Sequence, residues 1–438
     1  MSNERYDAVV IGAGIAGITA ARDLTDRGRS VVVLEAGDRI GGRTYNRPFA
    51  GLDLTVDFGG SWINRSLQPH MRRETQRYAI TVKEDPSVTG ASFYTGGRRR
   101  FMPVPADELA DLERALAFLR DASHRVATNR PLSEQPIRDI DVTPDEFFAG
   151  LELPDLTREL LYGMISCYAG APCSEMSMLH IVAQVAAYGH STTGFVTALS
   201  ERFVGGSVSL LDAMIDRSRL EVRLEHTVAR IAQDSDGITV STVDGQHVDA
   251  RVCILATPTN VMRHIDIVPG LDPAKQRVLA HNHVSRATKP SILVRNLGGR
   301  PFALGTGTFQ MISHAYQVDD DRDILYAFGC EGGDNDIDLN DRAAVQTAVR
   351  QYYPDVEVLA VDHHDWNADP LFDGTYRVDR AHEGLDSLAV LNRPEDRIVL
   401  AGTDVDDSVW RTWMEGALNS ARFAADYADA RLADITSD

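Results

Sequence analysis

The sequence predicts an α/β protein of two interleaved domains, one on a doubly wound sheet, the other of mixed sheet and helices. Three observations predict it. The first thirty-five residues read as strand, turn, helix, strand. Strand and hairpin patterns return near residue 220 and again near residue 397. Between them, from about Lys83 to Arg202, the pattern is mainly helical. With 438 residues, 43% of them hydrophobic, the chain is long enough for two cores.

Ala8-Val9-Val10-Ile11 is a short apolar run of the kind buried on both faces of a parallel sheet. Gly12-Ala13-Gly14-Ile15-Ala16-Gly17 follows, then a helical stretch to about Arg27, stopped by Gly28. Val31-Val32-Val33-Leu34 is the second strand, with Glu35 at its end. Gly12 permits the tight turn, Gly14 lets backbone approach a pyrophosphate, and Gly17 lets helix and strand pack closely. The helix N-terminus offers free N–H groups and a partial positive charge to phosphate. Glu35 is placed to accept from the adenosine ribose hydroxyls. All parts fall at the spacing of a Rossmann-like dinucleotide site. The acid at position 35 disfavours a 2′-phosphate, hence NADP, and does not separate NAD from FAD.

The middle of the chain predicts helices over about Ala106–Ala127, Thr157–Tyr168 and Ser177–Tyr188, with Gly170-Ala171-Pro172 as a break. A strand is expected over Leu220–Leu224. A hairpin of Ile238–Val243 and His247–Leu255 turns at Asp244-Gly245. The expected division is 1–82, 203–262 and 377–438 for the dinucleotide domain, and 83–202 and 263–376 for the substrate domain.

Composition narrows the function. A net charge of −20 repels nucleic acid and is compatible with cationic small substrates. No apolar run of about 18 residues is present, and the start Met1-Ser2-Asn3-Glu4-Arg5 has no leader pattern, so a cytoplasmic protein is expected. Cys167, Cys173, Cys253 and Cys330 form no CxxC pair and no zinc spacing. His281-Asn282-His283 and His363-His364-Asp365 lack a third ligand at metal spacing and are expected on strand or loop surfaces; no metal is expected. Asp334, Asp336 and Asp338 miss the glycine and glutamate of a calcium loop, and Asn340 or Asp341 is expected to cap the next helix.

Further blocks separate the two remaining cofactors. Arg39-Ile40-Gly41-Gly42-Arg43 follows the acid, and Asp57-Phe58-Gly59-Gly60-Ser61-Trp62 comes soon after. Later stand Gly205-Gly206-Ser207, Ala256-Thr257-Pro258, Lys289-Pro290, Asp365-Trp366-Asn367-Ala368-Asp369-Pro370, Gly374-Thr375-Tyr376, Gly402-Thr403-Asp404 and Trp413-Met414-Glu415-Gly416-Ala417. Over essentially its whole length the chain resembles the flavin monoamine oxidase family. Gly59-Gly60-Ser61-Trp62 with Gln68-Pro69-His70, and the Asp365–Pro370 block, look most like its bacterial branch acting on nicotine, 6-hydroxynicotine and pseudooxynicotine.

The resemblance implies FAD bound in extended form across the sheet. It places Gly12, Gly14, Ile15, Ala16, Gly17, Glu35, Ala36, Gly42, Arg43, Gly59, Gly60, Ser61 and Trp62 along the cofactor. Val228 is placed at the adenine, Ala256, Thr257 and Trp366 against the cofactor, and Thr403 and Asp404 at the ribityl chain and pyrophosphate. Trp413, Met414 and Ala417 open the last helix at the flavin. Tyr376 and Trp413 match the family's two aromatic walls around the amine, with Trp62 and Tyr188 lining the approach. Lys289 matches a lysine that holds a water at flavin N5. Some members carry a cysteine that bonds FAD covalently; Thr375 stands at that position, so noncovalent FAD is expected.

The reaction implied is hydride transfer from the α-carbon of a small primary or secondary amine to flavin N5. The resulting imine hydrolyses to a carbonyl compound, and O2, giving H2O2, or a protein electron acceptor reoxidises the flavin. A homodimer is left open. The rival readings are an NAD-dependent dehydrogenase, a non-enzymatic protein of the GDP-dissociation-inhibitor type, and an L-amino acid oxidase using Arg65 or Arg411 for the carboxylate.

Overall fold

The structure, a computed structural model, describes residues 5–197, 200–331 and 336–437. Asp334 lies outside them. Strand Tyr6–Ile11 sits at the centre of an eight-stranded sheet, parallel to Val31–Leu34 on one side and to the second half of His247–Leu255 on the other. Its side chains alternate between two cores, as a strand covered on both faces must. Ala8 and Val10 face one helical layer, while Val9 and Ile11 face the opposite core with Ile231, Val240 and Leu391. The long strand His247–Leu255 is shared. Its first half pairs antiparallel with Ile238–Thr242, and its second half also takes Ile398–Leu400 in parallel.

Helix Ile15–Asp26 and the C-terminal helix Met414–Ser437 cover one face of this sheet together with Ser209–Ser218. Ala417, Ser420, Ala421 and Ala424 are buried, and these small side chains allow the last helix to lie close to its neighbours. The boundary expected at residue 262 falls too early. Asp266–Val268 adds to the edge of the first sheet beside Val228–Gln233, and Leu271 and Leu279 join the same core. The hairpin leaves an open edge, and the next extended segment completes it.

A second eight-stranded sheet runs, in spatial order, Glu357–Asp362, Ser291–Arg295, Arg322–Cys330, Met311–Gln317, Pro301–Gly305, Gly90–Thr95 and Arg98–Arg100, with Ala287–Thr288 beside Arg322–Cys330. Helix Arg342–Arg350 packs against one face. Asp341 caps it, accepting from Ala343 N and Ala344 N. The middle helices form Leu109–Ser123, Asp155–Ala169 and Leu179–Ala187, each shorter or shifted by a few residues from expectation, and they share a core with Leu304 and Met311. His283 corrects a surface expectation: it is buried, whereas His281 is exposed. His364 is half-buried against Asp369 at 2.9 Å.

Two glycines fix the turn after the first strand. Gly12 holds φ at +103° where Ala256 O comes within 2.8 Å of a would-be Cβ. A Cβ on Gly17 would lie 1.9 Å from Gly12 O. Gly17→Ala is therefore expected to lower unfolding free energy by about 3 kcal/mol through forced backbone movement, and to weaken dinucleotide retention with it. Thermal melting and cofactor content of the purified variant check both.

Candidate active site

One cavity of about 420 Å³ begins at the turn after the first strand, passes the end of Val31–Leu34, and reaches the start of the C-terminal helix. Gly12, Gly14, Ile15, Ala16, Glu35, Ala36 and Val228 line one end. Gly42, Arg43, Gly59, Gly60, Ala256, Thr257, Trp366, Thr403, Met414 and Ala417 line its length. Ser61, Trp62, Lys289, Tyr376 and Trp413 also line it.

The turn at one end is prepared for an anion. Gly14, the N-cap of helix Ile15–Asp26, offers no side-chain cap, so the first-turn N–H groups have no side-chain acceptor. Glu35 is locked in place, one oxygen accepting from Ala13 N at 2.7 Å and the other from Gly37 N at 2.8 Å. The Thr257 hydroxyl is buried without a partner on the cavity wall. These donors and this bare backbone fit a dinucleotide.

Three expected residues stand elsewhere. Gly17 serves the packing of helix on turn and does not line the cavity. Asp404 is buried behind Arg43, whose Nη1 donates to its Oδ1 at 2.8 Å and to Thr375 O at 2.6 Å. Burial works to raise the Asp404 pKa, but the Arg43 guanidinium holds it below the usual carboxylate range. Asp404 thus positions Arg43 and does not itself line the cavity. Tyr188 lies behind Trp413, the rings meeting edge-on at 5.8 Å, and does not reach the cavity.

The aromatic end is braced from outside. Tyr376 donates its hydroxyl to Tyr168 O at 3.0 Å and stacks on His180 at 6.4 Å and 12°. Burial pushes its phenol well above the usual range, so it stays neutral. Trp62 separates this cavity from a second of about 620 Å³, and Met311 touches both. The Trp62 indole N–H is tied to Asp85 at 2.8 Å.

Lys289 donates to Gly59 O at 2.8 Å, Asp57 O at 3.1 Å and the Ser61 hydroxyl, and lies over the Tyr326 ring at 4.0 Å and the Trp62 ring at 4.7 Å. Burial pushes its pKa down to about 7, against the pull of Asp57. Its three hydrogens all have acceptors on the protein, so a water at Nζ displaces one of these contacts. The two arginines considered for a substrate carboxylate are both engaged: Arg65 with Glu201 at 2.7 Å, and buried Arg411 with Asp379 at 2.5 Å.

The sequence reading missed Gln184, Thr412, Tyr168, Met311 and Phe328, all on the cavity wall. Gln184 carried a signal, as the one amide in the apolar helix Leu179–Ala187. Met311 and Phe328 come from neighbouring strands of the second sheet and have no local signature.

Comparison with known proteins agrees with this geometry. The profile of the flavin containing amine oxidoreductases matches residues 15–428. The chain is 35% identical to (S)-6-hydroxynicotine oxidase of Paenarthrobacter nicotinovorans over 429 residues, 96% of this chain and 98% of that one. It is 30% identical to nicotine dehydrogenase of Pseudomonas putida (strain DSM 28022 / S16), covering 95% and 86%. In fold it matches a putrescine oxidase solved with putrescine, at a TM-score of 0.87 and 21% identity over 97% of this chain and 99% of that one. It also matches cyclohexylamine oxidase from Brevibacterium oxydans IH-35A, at 0.82 and 20% over 98% and 100%. The chain belongs to the flavin-containing amine oxidoreductase family and is an FAD-dependent oxidoreductase of amines.

Proposed function

We propose that the protein oxidises a small primary or secondary amine whose nitrogen enters between Tyr376 and Trp413. The observation that carries this reading is one continuous cavity with a dinucleotide cradle at one end and two braced aromatic walls with a buried lysine at the other. FAD bound there supplies a two-electron acceptor for hydride from the amine α-carbon, and O2 or a protein carrier restores it. The residues that would hold it are the Gly12–Ala16 turn, Glu35 and Ala36, Gly42 and Arg43, Gly59 and Gly60, Ala256 and Thr257, Thr403, and Met414 with Ala417.

The chain's own contributions are positioning and exclusion. Tyr376 and Trp413 present ring faces, whose negative quadrupoles favour an amine nitrogen and fix its approach. The apolar lining of Met311 and Phe328 displaces water and favours the uncharged amine. Lys289, set beside Gly59 and Ser61, places a titratable cation at the cofactor space, where it stabilises negative charge developing on reduced oxygen. The Thr375 hydroxyl is hydrogen bonded to Ser285 Oγ at 2.8 Å and offers no thiol, which supports noncovalent cofactor. All four cysteines are free, in keeping with a cytoplasmic location. Among the described residues no helix is long and apolar enough to cross a membrane.

Anaerobic mixing with 6-hydroxynicotine, pseudooxynicotine, putrescine, cyclohexylamine and benzylamine is expected to bleach the flavin with at least one. Failure of all would sink the reading. Acid precipitation is expected to release the FAD into the supernatant. Trp413→Ala should lower kcat/KM on the order of 100-fold by loosening the amine's alignment, while Tyr376→Phe should retain most activity; stopped-flow reduction rates check both.

Lys289 gives a prediction with a definite sign. Its folded pKa of about 7 lies below the ordinary value of 10.5, so between these the unfolded chain binds more protons. Stability contributed at this position therefore rises with pH across that window. The stability gap between Lys289→Met and the parent should move in the parent's favour from about pH 7 to about pH 10, as read by denaturant unfolding.

A further inference from the structure

Lysine is scarce in this chain: Lys83, Lys275 and Lys289 are the only three among 44 basic residues counting arginine. Lys83 is exposed, and Lys275 is buried against Glu395 at 2.7 Å. Lys289 lines the cavity. Arginine keeps its charge in any environment, whereas an enclosed lysine can lose its proton. A lysine at this place gives the cofactor end a charge that titrates.

Asp57 opens the block that runs to Trp62, is 2% exposed, and does not line the cavity. One of its carboxylate oxygens accepts from Ser207 N at 3.1 Å and from the Ser207 hydroxyl at 3.0 Å, and the other from the Tyr316 hydroxyl at 3.3 Å. Its main chain reaches the same place: Asp57 O accepts from Lys289 Nζ at 3.1 Å, and Asp57 N donates to the Tyr326 hydroxyl at 3.0 Å. The Tyr326 and Tyr316 hydroxyls lie 3.2 Å apart and close the circuit. Its direction follows from its ends, because a backbone N–H only donates and a carboxylate only accepts. Tyr316 therefore gives its single hydrogen to Asp57, and Tyr326 gives its own to Tyr316. Burial pushes the Tyr316 phenol up to about 12 and the Tyr326 phenol well above the usual range, so both keep their hydrogens.

Hydrogen bonds in series polarise one another. The carboxylate charge is thereby felt at the Tyr326 ring, over which Lys289 Nζ lies at 4.0 Å. Other charges face this group. Arg202 lies over the Tyr316 ring at 4.5 Å with Asp85 on its Nε at 2.5 Å, and Lys83 stands 5.5 Å from the same ring. Arg202 opposes a further cation, while Asp57 and Asp85 favour one. A carboxylate in direct contact would fix the ammonium, and enclosure with no carboxylate nearby would strip it. Two hydroxyls between the charges give the intermediate case.

We propose that Asp57 is a positioning residue for Lys289, its carboxylate acting through the Tyr316 and Tyr326 hydroxyls to support an ammonium charge at the cofactor space without locking it there. What this charge does for the flavin rests on the amine-oxidase reading; its coupling to Asp57 does not.

The test reads Lys289 directly in the oxidised holoenzyme. Lysine carrying 13C at Cε gives one signal for each of the three lysines in a 1H–13C correlation spectrum, and Lys289→Met identifies the one that matters. In the parent that signal is expected to titrate near pH 7. Asp57→Asn keeps the side-chain shape and is expected to lower the midpoint by about one pH unit, about tenfold in the protonation equilibrium. Tyr326→Phe keeps the aromatic face but opens the circuit, and is expected to lower it by about half a unit. The double variant should match Asp57→Asn. An unmoved midpoint in Asp57→Asn overturns the proposal, as does full additivity in the double variant. A role confined to bracing Ser207 would change the melting temperature and not this midpoint. Should Asp57→Asn fail to fold, Tyr326→Phe decides, and an unchanged midpoint there overturns the proposal. Reoxidation of the dithionite-reduced enzyme by O2 is expected to show an inflection with pH that moves with the lysine signal. A profile that stays put while the signal moves counts against the part given to Lys289 in amine oxidation, and the coupling to Asp57 stands.

Discussion

The close approach of backbone at the end of the first strand is the constraint on which the rest depends. Gly12 turns beside Ala256, and Gly17 sits against Gly12 O, with no room at either for a side chain. That contact sets helix Ile15–Asp26 on the sheet with its N-terminal amides facing the cavity. It also leaves the strand ends bare, so that a flat, extended cofactor can lie across them. Everything at the far end of the cavity is arranged relative to that line.

The far end is held by buried charge and hydrogen bonds rather than by apolar packing alone. Arg43 is fixed by Asp404 and Thr375 O, Arg411 by Asp379, and Trp62 by Asp85. The Arg411–Asp379 pair is removed from water and the other two are partly so, and loss of one partner leaves an uncompensated charge or donor. Such sites tolerate little movement, and rigidity suits a reaction that depends on aligning one carbon–hydrogen bond. Lys289 is the exception in kind. It has carbonyl, hydroxyl and ring-face partners but no carboxylate contact, so its charge responds to pH.

The dinucleotide end was legible because its signal is local: Gly12 to Glu35 lie in one strand–helix–strand unit whose spacing maps directly onto geometry. The aromatic walls at Tyr376 and Trp413 were legible only through resemblance, since nothing in their spacing marks them. Asp404 and Tyr188 stand behind residues that line the cavity, for a related reason. A buried carboxylate and a buried ring can each serve the site from behind, and sequence does not tell which side of a partner they occupy. Gln184 and Thr412 depend on a long-range meeting between a middle helix and the C-terminal segment, which no local pattern announces. The segment Asp266–Val268, divided from the dinucleotide domain by a boundary at residue 262, joins that domain's sheet because a hairpin's free edge can recruit any nearby extended chain.

Interleaving has a consequence for biogenesis. The central strand pair needs Tyr6–Ile11 and His247–Leu255, the neighbouring parallel strand is Ile398–Leu400, and the helix bearing Met414 and Ala417 comes last. A ribosome delivering this chain N-terminus first exposes the glycine-rich turn long before the residues that close over it exist. The nascent protein therefore spends most of its synthesis with half a cradle. Loading of the cofactor and completion of the sheet become a single event that waits for Met414 and Ala417.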